Sequence, residues 1–236
     1  MIQEYLKLLT RRRINFLYLG ILLVVQGLQL VGGIHEDNAI YEFMALKGLN
    51  VFALFFTPIF CFWNASAYQL SSETKLVVRM GSPFSAMAFY IKLALISGFL
   101  YVVFSNCITV VGAIIATETV GKWGILFILL FFQLVFYINC ALLYFITMAL
   151  LQNKSYFAFL IVVFYGLWDY IGSLLMDEPW LNISTSYVVC SVKDISSIPL
   201  LLRNFSILMG VCLALLVIGL YVTDKRDYLD WGKAHD

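Results

Sequence analysis

The stretch "WGILFILLFFQLVFYINCALLYFITMALL", residues 123–151, is 29 residues long and contains no formally charged side chain. An α-helix rises about 1.5 Å per residue, so roughly 20 apolar residues cross the hydrocarbon core of a bilayer, which is about 30 Å thick. This stretch is long enough to cross a membrane with some tilt, or to extend into the interface. It predicts a transmembrane helix.

The composition of the whole chain also predicts a membrane protein. Of its 236 residues, 62% are hydrophobic and only 12% are charged, and the mean hydropathy is +0.92. A soluble globular domain carries about 25% charged residues. Most of the surface is therefore expected to face lipid rather than water. The net charge of +1 gives no indication of a polyanionic ligand, and no nucleic-acid partner is expected.

Six apolar runs have the length of a membrane span. They cover residues 14–34, 48–68, 93–116, 123–151, 155–176 and 204–223. Because the count is even, both termini are expected on the same side of the membrane. The predicted fold class is all-α: a polytopic membrane protein with six transmembrane helices, forming a single transmembrane domain over residues 1–236.

The distribution of basic residues predicts cytoplasmic termini, because cytoplasmic loops carry an excess of Lys and Arg. With the termini inside, eleven basic residues lie in cytoplasmic segments and four lie outside. The four outer residues are Lys47, Lys122, Lys193 and Arg203. The predicted location is the cell membrane, with multiple spans and both ends in the cytoplasm.

The segments outside the spans have distinct characters. Residues 1–13 place apolar and basic side chains on opposite helical faces, which predicts an interfacial helix on the inner leaflet; a frayed basic terminus is the alternative. Residues 177–203 are too short to cross twice and too apolar for a hydrated loop, so a shallow re-entrant outer segment is predicted. Residues 224–236 are expected to form a charged cytoplasmic tail.

Polar residues inside the runs are candidates for a pathway or gate. Asp169 lies in the outer half of the fifth run, and a carboxylate there must face protein or water rather than lipid. It either contacts a cationic substrate or an outer gate, or anchors the helix by pairing with Lys193 or Arg203. The uncharged candidates are Asn64, Asn106, Gln133 and Asn139. These amides either hydrogen-bond between helices or line a pathway.

The polar segment 69–90 interrupts two apolar runs and has features of a rigid cytoplasmic elbow. Its charged and turn-forming residues, together with the lysine that follows, are Glu73, Lys75, Arg79, Ser82, Pro83 and Lys92. Gly81 is expected to break a first short helix. Ser82 is then a good N-cap and Pro83 suits the first helical position, so a second helix is predicted to start there and to continue through Lys92 into the third span.

This segment resembles the corresponding part of the permeases of type-2 ATP-binding-cassette (ABC) exporters. Members of that family commonly have a Glu, a short gap, a Ser-Pro or Thr-Pro turn, and a Lys leading into the next helix. The matching residues here are Glu73, Arg79, Ser82, Pro83 and Lys92. The six-span layout with a basic N-terminal helix is similar as well. The single Glu73 departs from the family, whose segment often has two or three.

The resemblance implies that residues 69–90 form a coupling helix that docks on a separate ABC ATPase subunit. ATP and Mg would be bound by that partner, and no cofactor is expected in this chain, which has no GxxxxGK[ST] phosphate loop. A second permease subunit, identical or related, is expected to complete the pathway. The resemblance further implies a bacterial membrane and export of a peptide, such as a lantibiotic-like antimicrobial peptide, or of a lipophilic compound.

Other functional classes have less support in the sequence. No HExxH or GxSxG motif is present, and His35 and His235 are too far apart in the predicted topology to share a metal, so neither a metal site nor an enzyme is expected. A non-transporting scaffold or sensor subunit that recruits a cytosolic partner is the alternative to the exporter. A secondary transporter is the third reading, although Asp169 alone provides little charge within the membrane.

Overall fold

A computed structural model describes residues 13–33, 52–71, 83–115, 120–151, 155–175, 183 and 197–225. Within these ranges every residue is helical except Leu151, Ile183 and Ser197, and there is no strand. The predicted all-α fold class is therefore confirmed. Residues 1–12 of the predicted interfacial helix, residues 72–82 of the 69–90 elbow, most of the 177–203 segment and nearly all of the tail lie outside the described residues.

Six helices follow one another in the described part of the chain. They are α1 (Arg13–Gly33), α2 (Thr57–Ser71), α3 (Pro83–Ile115), α4 (Val120–Leu150), α5 (Ser155–Leu175) and α6 (Ile198–Lys225). A π-helical turn, Phe52–Phe56, leads into α2. Pro58 has no N–H to donate, and it lies two residues after this π-helical turn, where the helical hydrogen-bond pattern changes.

Four of these helices are long and apolar enough to cross a membrane. Their candidate spans are Phe84–Ile108, Trp123–Leu150, Ser155–Gly172 and Ile198–Asp224. The described apolar parts of α1 and α2 are shorter, at Phe16–Gly27 and Leu54–Ala65. Four of the six predicted spans thus have the required length within one helix, and the full count of six stays a prediction.

The outer surface of the helices is apolar, as expected for contact with lipid. Ile115, Leu175 and Phe84 expose 76%, 75% and 74% of their area, and many other large apolar side chains are also exposed. A water-soluble protein rarely leaves contiguous apolar patches of this kind uncovered. The arrangement fits a bundle whose surroundings are hydrocarbon.

Helix α4 lies at the centre of the buried core, where aromatic rings pack against one another. The ring centroid of Tyr137 lies 4.6 Å from the ring centroid of Phe60 and 4.8 Å from that of Tyr101. Phe136 and Phe145 are fully buried on the same helix. Ring pairs at these separations add to the burial energy of a core. The aromatic side of α4 therefore serves packing between helices.

Small residues on α3 allow close packing against α4. A methyl group built on Gly98 would lie 3.5 Å from Cγ1 of Ile138, which is ordinary contact distance. Ala94, one turn earlier, and Ser105 are buried as well. These small residues lie inside the bundle, and Gly98 lies close to α4.

The contact between α2 and α5 is tighter. A methyl group on Gly166 would lie 2.6 Å from Cγ2 and 3.1 Å from Cβ of Thr57. These distances are too short for a real side chain, and the β-branched threonine has few alternative rotamers. Only glycine at residue 166 permits this approach of α5 to the start of α2.

Candidate functional site

Polar side chains are buried at several levels of the bundle, and they form its candidate functional site. The buried polar residues among those described are Gln26, Thr57, Asn64, Ser97, Ser105, Asn106, Gln133, Asn139, Thr147, Asp169, Asn204 and Thr223. All five residues predicted for a pathway or gate belong to this set. The structure does not bring them into one cluster: they form separate contacts between different elements.

Asn106 and Gln133 form a direct side-chain contact between α3 and α4. Nδ2 of Asn106 donates to Oε1 of Gln133 at 2.8 Å and to the carbonyl of Val102 at 2.7 Å. Asn106 therefore binds both its own helix and the next one. A hydrogen bond between helices in a membrane contributes about 0.6 to 2 kcal/mol, so this pair helps to fix the contact between α3 and α4.

Asn64 joins α2 to α3 on the other side of the core. Oγ of Ser97 donates to Oδ1 of Asn64 at 2.8 Å. Nδ2 of Asn64 and the indole Nε1 of Trp63 are buried and have no hydrogen-bond partner among the described residues. An unsatisfied buried donor costs about 1–3 kcal/mol, so these two N–H groups reduce the stability of this contact.

Asn139 connects α4 to α6 at a main-chain group. Its Nδ2 donates to the carbonyl of Leu208 at 3.1 Å, and its side chain also lies beside the hydroxyl of Tyr165 on α5. Oδ1 of Asn139 has no hydrogen-bond donor among the described residues. This amide is therefore placed where three helices meet, with one acceptor left over.

Asp169 is the only charged residue among the five, and its exposed fraction is 1%. Its Oδ1 accepts a hydrogen bond of 2.8 Å from the main-chain N–H of Ile183, in the segment that connects α5 to α6. The hydroxyl of Tyr165, one turn earlier on α5, donates to the carbonyl of the same Ile183 at 3.4 Å. Asp169 thus binds main chain at the predicted outer end of α5.

Of the two cations predicted to pair with Asp169, the structure describes Arg203 but not Lys193. Nε and an η nitrogen of Arg203 each contact Oδ1 of the neighbouring Asn204, at 3.3 Å. No ion pair between Asp169 and Arg203 is present in the described structure. Lys193, the other cation considered, lies outside the described residues. The anchoring role of Asp169 therefore involves a main-chain N–H group, which the sequence reading did not include.

Two contributors to the buried polar contacts were not identified from sequence. Gln26 on α1 donates through Nε2 to the carbonyl of Phe104 at 3.1 Å and accepts through Oε1 from the N–H of Ile108 at 3.2 Å. One amide therefore holds two main-chain groups of the same turn of α3. The hydroxyl of Tyr101 donates to the carbonyl of Phe56 at 2.7 Å, at the end of the π-helical turn. Gln26 could have been predicted to bind another helix, because it is a polar amide within the apolar run 14–34.

The predicted coupling residues are only partly visible. Helix α3 begins at Pro83 and continues without a break through Lys92, whose side chain is exposed. The remaining predicted coupling residues lie outside the described residues; they are Glu73, Lys75, Arg79 and Ser82. Their docking role stays a prediction.

An apolar groove opens on the side of the bundle between α4 and α6, with a volume of about 360 Å³. Its walls come from Phe127, Phe131 and Phe132 on one helix and from Leu201, Leu202 and Phe205 on the other. Phe131 is 50% exposed and contacts Phe205, with 5.8 Å between the ring centroids. The groove is suited to an apolar chain or ring rather than to a polar ligand.

The chemistry of the buried residues is that of hydrogen bonding. Among the described residues no group of three His, Cys, Asp or Glu side chains is placed to hold a metal ion. The four described cysteines are free, and two of them, Cys61 and Cys140, are buried in the core. Comparison with protein-family models, with curated proteins and with solved structures finds no match to this chain.

Proposed function

We propose that this chain is the permease subunit of an ATP-driven ABC exporter that works with a second permease and with separate ATPase subunits. The proposal combines the resemblance of the segment around Glu73, Ser82 and Pro83 to type-2 exporter permeases with the architecture of the bundle. ATP hydrolysis takes place in the partner, and the chain itself converts movement of the elbow into movement of its helices.

The observation that carries the proposal is the continuity of α3. This helix has 33 residues from Pro83 to Ile115 and is therefore about 50 Å long. It begins at Pro83, inside the predicted elbow, and extends through the whole bundle. A force applied near Pro83 is transmitted along an unbroken helix, which a flexible linker would not achieve.

The polar contacts of α3 provide the means of passing such a movement to its neighbours. Ser97 on α3 binds Asn64 of α2, Asn106 binds Gln133 of α4, and the main chain near Ile108 is held by Gln26 of α1. Helix α3 is thus hydrogen-bonded to three other helices at successive levels. Its displacement would shift all three.

The proposed cargo is a peptide or a lipophilic compound. The groove between α4 and α6 is lined only by apolar side chains and opens toward the surroundings of the bundle. This supports a cargo that approaches from the membrane rather than a hydrophilic solute. Export, rather than import, follows from the family resemblance.

The proposal is tested by co-purification and by ATP hydrolysis. The tagged chain is purified in detergent from its native membrane, co-purified proteins are identified by mass spectrometry, and the complex is assayed for ATPase activity. Glu73→Ala and Arg79→Ala are expected to reduce the recovery of the ATPase by about tenfold while membrane insertion is retained. Lys122→Ala, in the first turn of α4 and on the predicted outer side, is the matched control and should leave recovery unchanged.

The same experiment separates the exporter from a scaffold subunit. An exporter requires a partner with a phosphate loop whose ATPase activity changes when the permease is present. A cytosolic partner that binds through residues 69–90 but hydrolyses no ATP would favour the scaffold. Full ATPase recovery with both elbow variants would contradict the proposal, as would a reporter at residue 236 that is accessible only from outside the cell.

A further inference from the structure

Tyr165 and Asp169 hold the main chain of a single residue between them. The carboxylate of Asp169 accepts from the N–H of Ile183 at 2.8 Å, and the hydroxyl of Tyr165 donates toward the carbonyl of Ile183 at 3.4 Å. The first distance is that of a strong charge-assisted bond, and the second is longer than an ordinary O–H···O bond. The carboxylate therefore contributes most of the binding.

The spacing of the two side chains suits an extended peptide. Residues 165 and 169 are one turn apart, so their side chains lie on the same face of α5, about 6 Å apart along its axis. In an extended chain the N–H and C=O of one residue point to the same edge, as in a hydrogen-bonded pair of an antiparallel sheet. An acceptor and a donor at this spacing can bind both groups of one residue.

Tyr165 and Asp169 bind the main-chain atoms of Ile183 and not its side chain. The side chain of Ile183 is 40% exposed, and both hydrogen bonds go to its main-chain atoms. Every residue other than proline has the same N–H and C=O groups. The pair therefore has no requirement for isoleucine, and another residue with a main-chain N–H would satisfy it equally well.

We propose that Tyr165 and Asp169 form a main-chain binding site for an extended peptide, and that Ile183 of the chain itself occupies this site in the structure described here. The inference deepens the proposed function, because it identifies the cargo as a peptide rather than a lipophilic small molecule. The physiological role of that peptide rests on the proposed function. An exported peptide binds by replacing Ile183 at the carboxylate.

A peptide copied from the chain provides the probe. Residues 180–186 read WLNISTS. A fluorescent form of this heptapeptide is titrated against the purified protein in lipid nanodiscs, with no ATPase present, and binding is followed by anisotropy. The matched control is the same peptide with an N-methyl group on its isoleucine, which removes the N–H donor to Asp169 and leaves the side chains unchanged.

The resident residue is varied in parallel. Ile183→Pro removes the N–H that now binds the Asp169 carboxylate, whereas Ile183→Ala keeps the N–H and changes only the side chain. The heptapeptide is expected to bind Ile183→Pro about tenfold or more tightly than it binds the unmodified protein, since a hydrogen bond to a charged group is worth about one to two decades of affinity. Ile183→Ala should bind it like the unmodified protein.

Two further variants localise the peptide. In the Ile183→Pro protein, Asp169→Ala should abolish the gain in affinity, and Tyr165→Phe should reduce it only a few-fold because the 3.4 Å contact is long. Asp224→Asn and Tyr156→Phe are controls on exposed residues and should have no effect. If Asp169→Ala does not insert, the N-methyl comparison on Ile183→Pro gives the same answer.

The outcomes are distinct from those of the export experiment. Equal binding of the methylated and unmethylated peptides overturns the main-chain site, and so does the absence of any gain in Ile183→Pro. Both results can be obtained whether or not an ATPase partner exists. Specific peptide binding without an ATPase partner would keep the site and refute only the exporter.

Discussion

The contact between α3 and α4 and the contact between α2 and α5 both include a glycine, yet they are held together differently. Between α3 and α4 the nearest atom to a methyl group on Gly98 would be 3.5 Å away, and a hydrogen bond of 2.8 Å joins Asn106 to Gln133. Between α2 and α5 a methyl group on Gly166 would lie only 2.6 Å from Thr57. The first contact has room and a specific polar bond, and the second has close steric fit.

The difference matters because helices in a membrane gain little from the hydrophobic effect when they associate. Close packing at small residues and hydrogen bonds between helices are what remains. A contact that depends on fit fails when one methyl group is added. A contact that depends on a hydrogen bond tolerates the methyl group but fails when an amide is removed.

The largest effect is expected from Gly166→Ala. The new methyl group overlaps Cγ2 and Cβ of Thr57, whose β-branched side chain cannot rotate away, so α5 must move from α2. Overpacking of this kind typically costs about 1–3 kcal/mol, and the upper half of that range is expected. The free energy of unfolding, measured by titration with SDS in mixed micelles, is the test.

Gly172→Ala is the matched control for this substitution. Gly172 lies on the same helix, and no atom of a neighbouring element is within 4 Å of a methyl group built there. Alanine at this position should raise the free energy of unfolding slightly, because alanine has a better helix propensity than glycine. Equal destabilisation by the two variants would show that α5 is sensitive to any alanine and that Thr57 is not the cause.

An intermediate effect is expected from Gln133→Leu. The substitution removes the acceptor for Nδ2 of Asn106 and leaves the bond to the Val102 carbonyl intact. A loss of about 1–2 kcal/mol in the free energy of unfolding is expected, within the range for hydrogen bonds between membrane helices. A double-mutant cycle with Asn106→Leu isolates the pair, and additive single effects would contradict direct coupling.

The role of the buried amides could be predicted from sequence to a useful degree. Asn64, Asn106, Gln133 and Asn139 lie in runs that otherwise contain few polar groups, and an amide in hydrocarbon must find a partner. Each of them does bind another helix, through Ser97, through one another, or through the Leu208 carbonyl. The partners themselves could not be predicted, because they depend on how the helices align.

One partner of Asp169 was beyond prediction for a different reason. A buried carboxylate predicts a cation, and Lys193 and Arg203 were the candidates. Among the described residues Asp169 binds the main-chain N–H of Ile183 and not Arg203, while the pairing with Lys193 lies outside the described residues and stays a prediction. Every residue except proline has a main-chain N–H, so no sequence pattern marks this partner.

The distinction between the two glycines was also invisible in the sequence. Gly98 lies in a row of small residues on α3, a pattern that favours close packing, whereas Gly166 stands in the aromatic surroundings of Tyr165 and Trp168. The pattern therefore marks the less demanding of the two sites. Gly166 is critical because Thr57, at the start of α2, packs directly against it. This contact forms only when α2 and α5 pack together, so it cannot be recognised from the local sequence.

The smallest effect is expected from Gly98→Ala, and this substitution is the strictest test of the comparison. Its methyl group would meet Cγ1 of Ile138 at 3.5 Å, the N atom of Ile138 at 3.6 Å and Cδ1 of Leu134 at 3.6 Å, all ordinary contacts. The gain in helix propensity, about 0.8–1 kcal/mol, should offset any small adjustment of α4. A change in the free energy of unfolding within about 0.5 kcal/mol is therefore expected by the same SDS titration. If Gly98→Ala destabilises as strongly as Gly166→Ala, the contact between α3 and α4 depends on fit as well, and the hydrogen bond of Asn106 is not its main determinant.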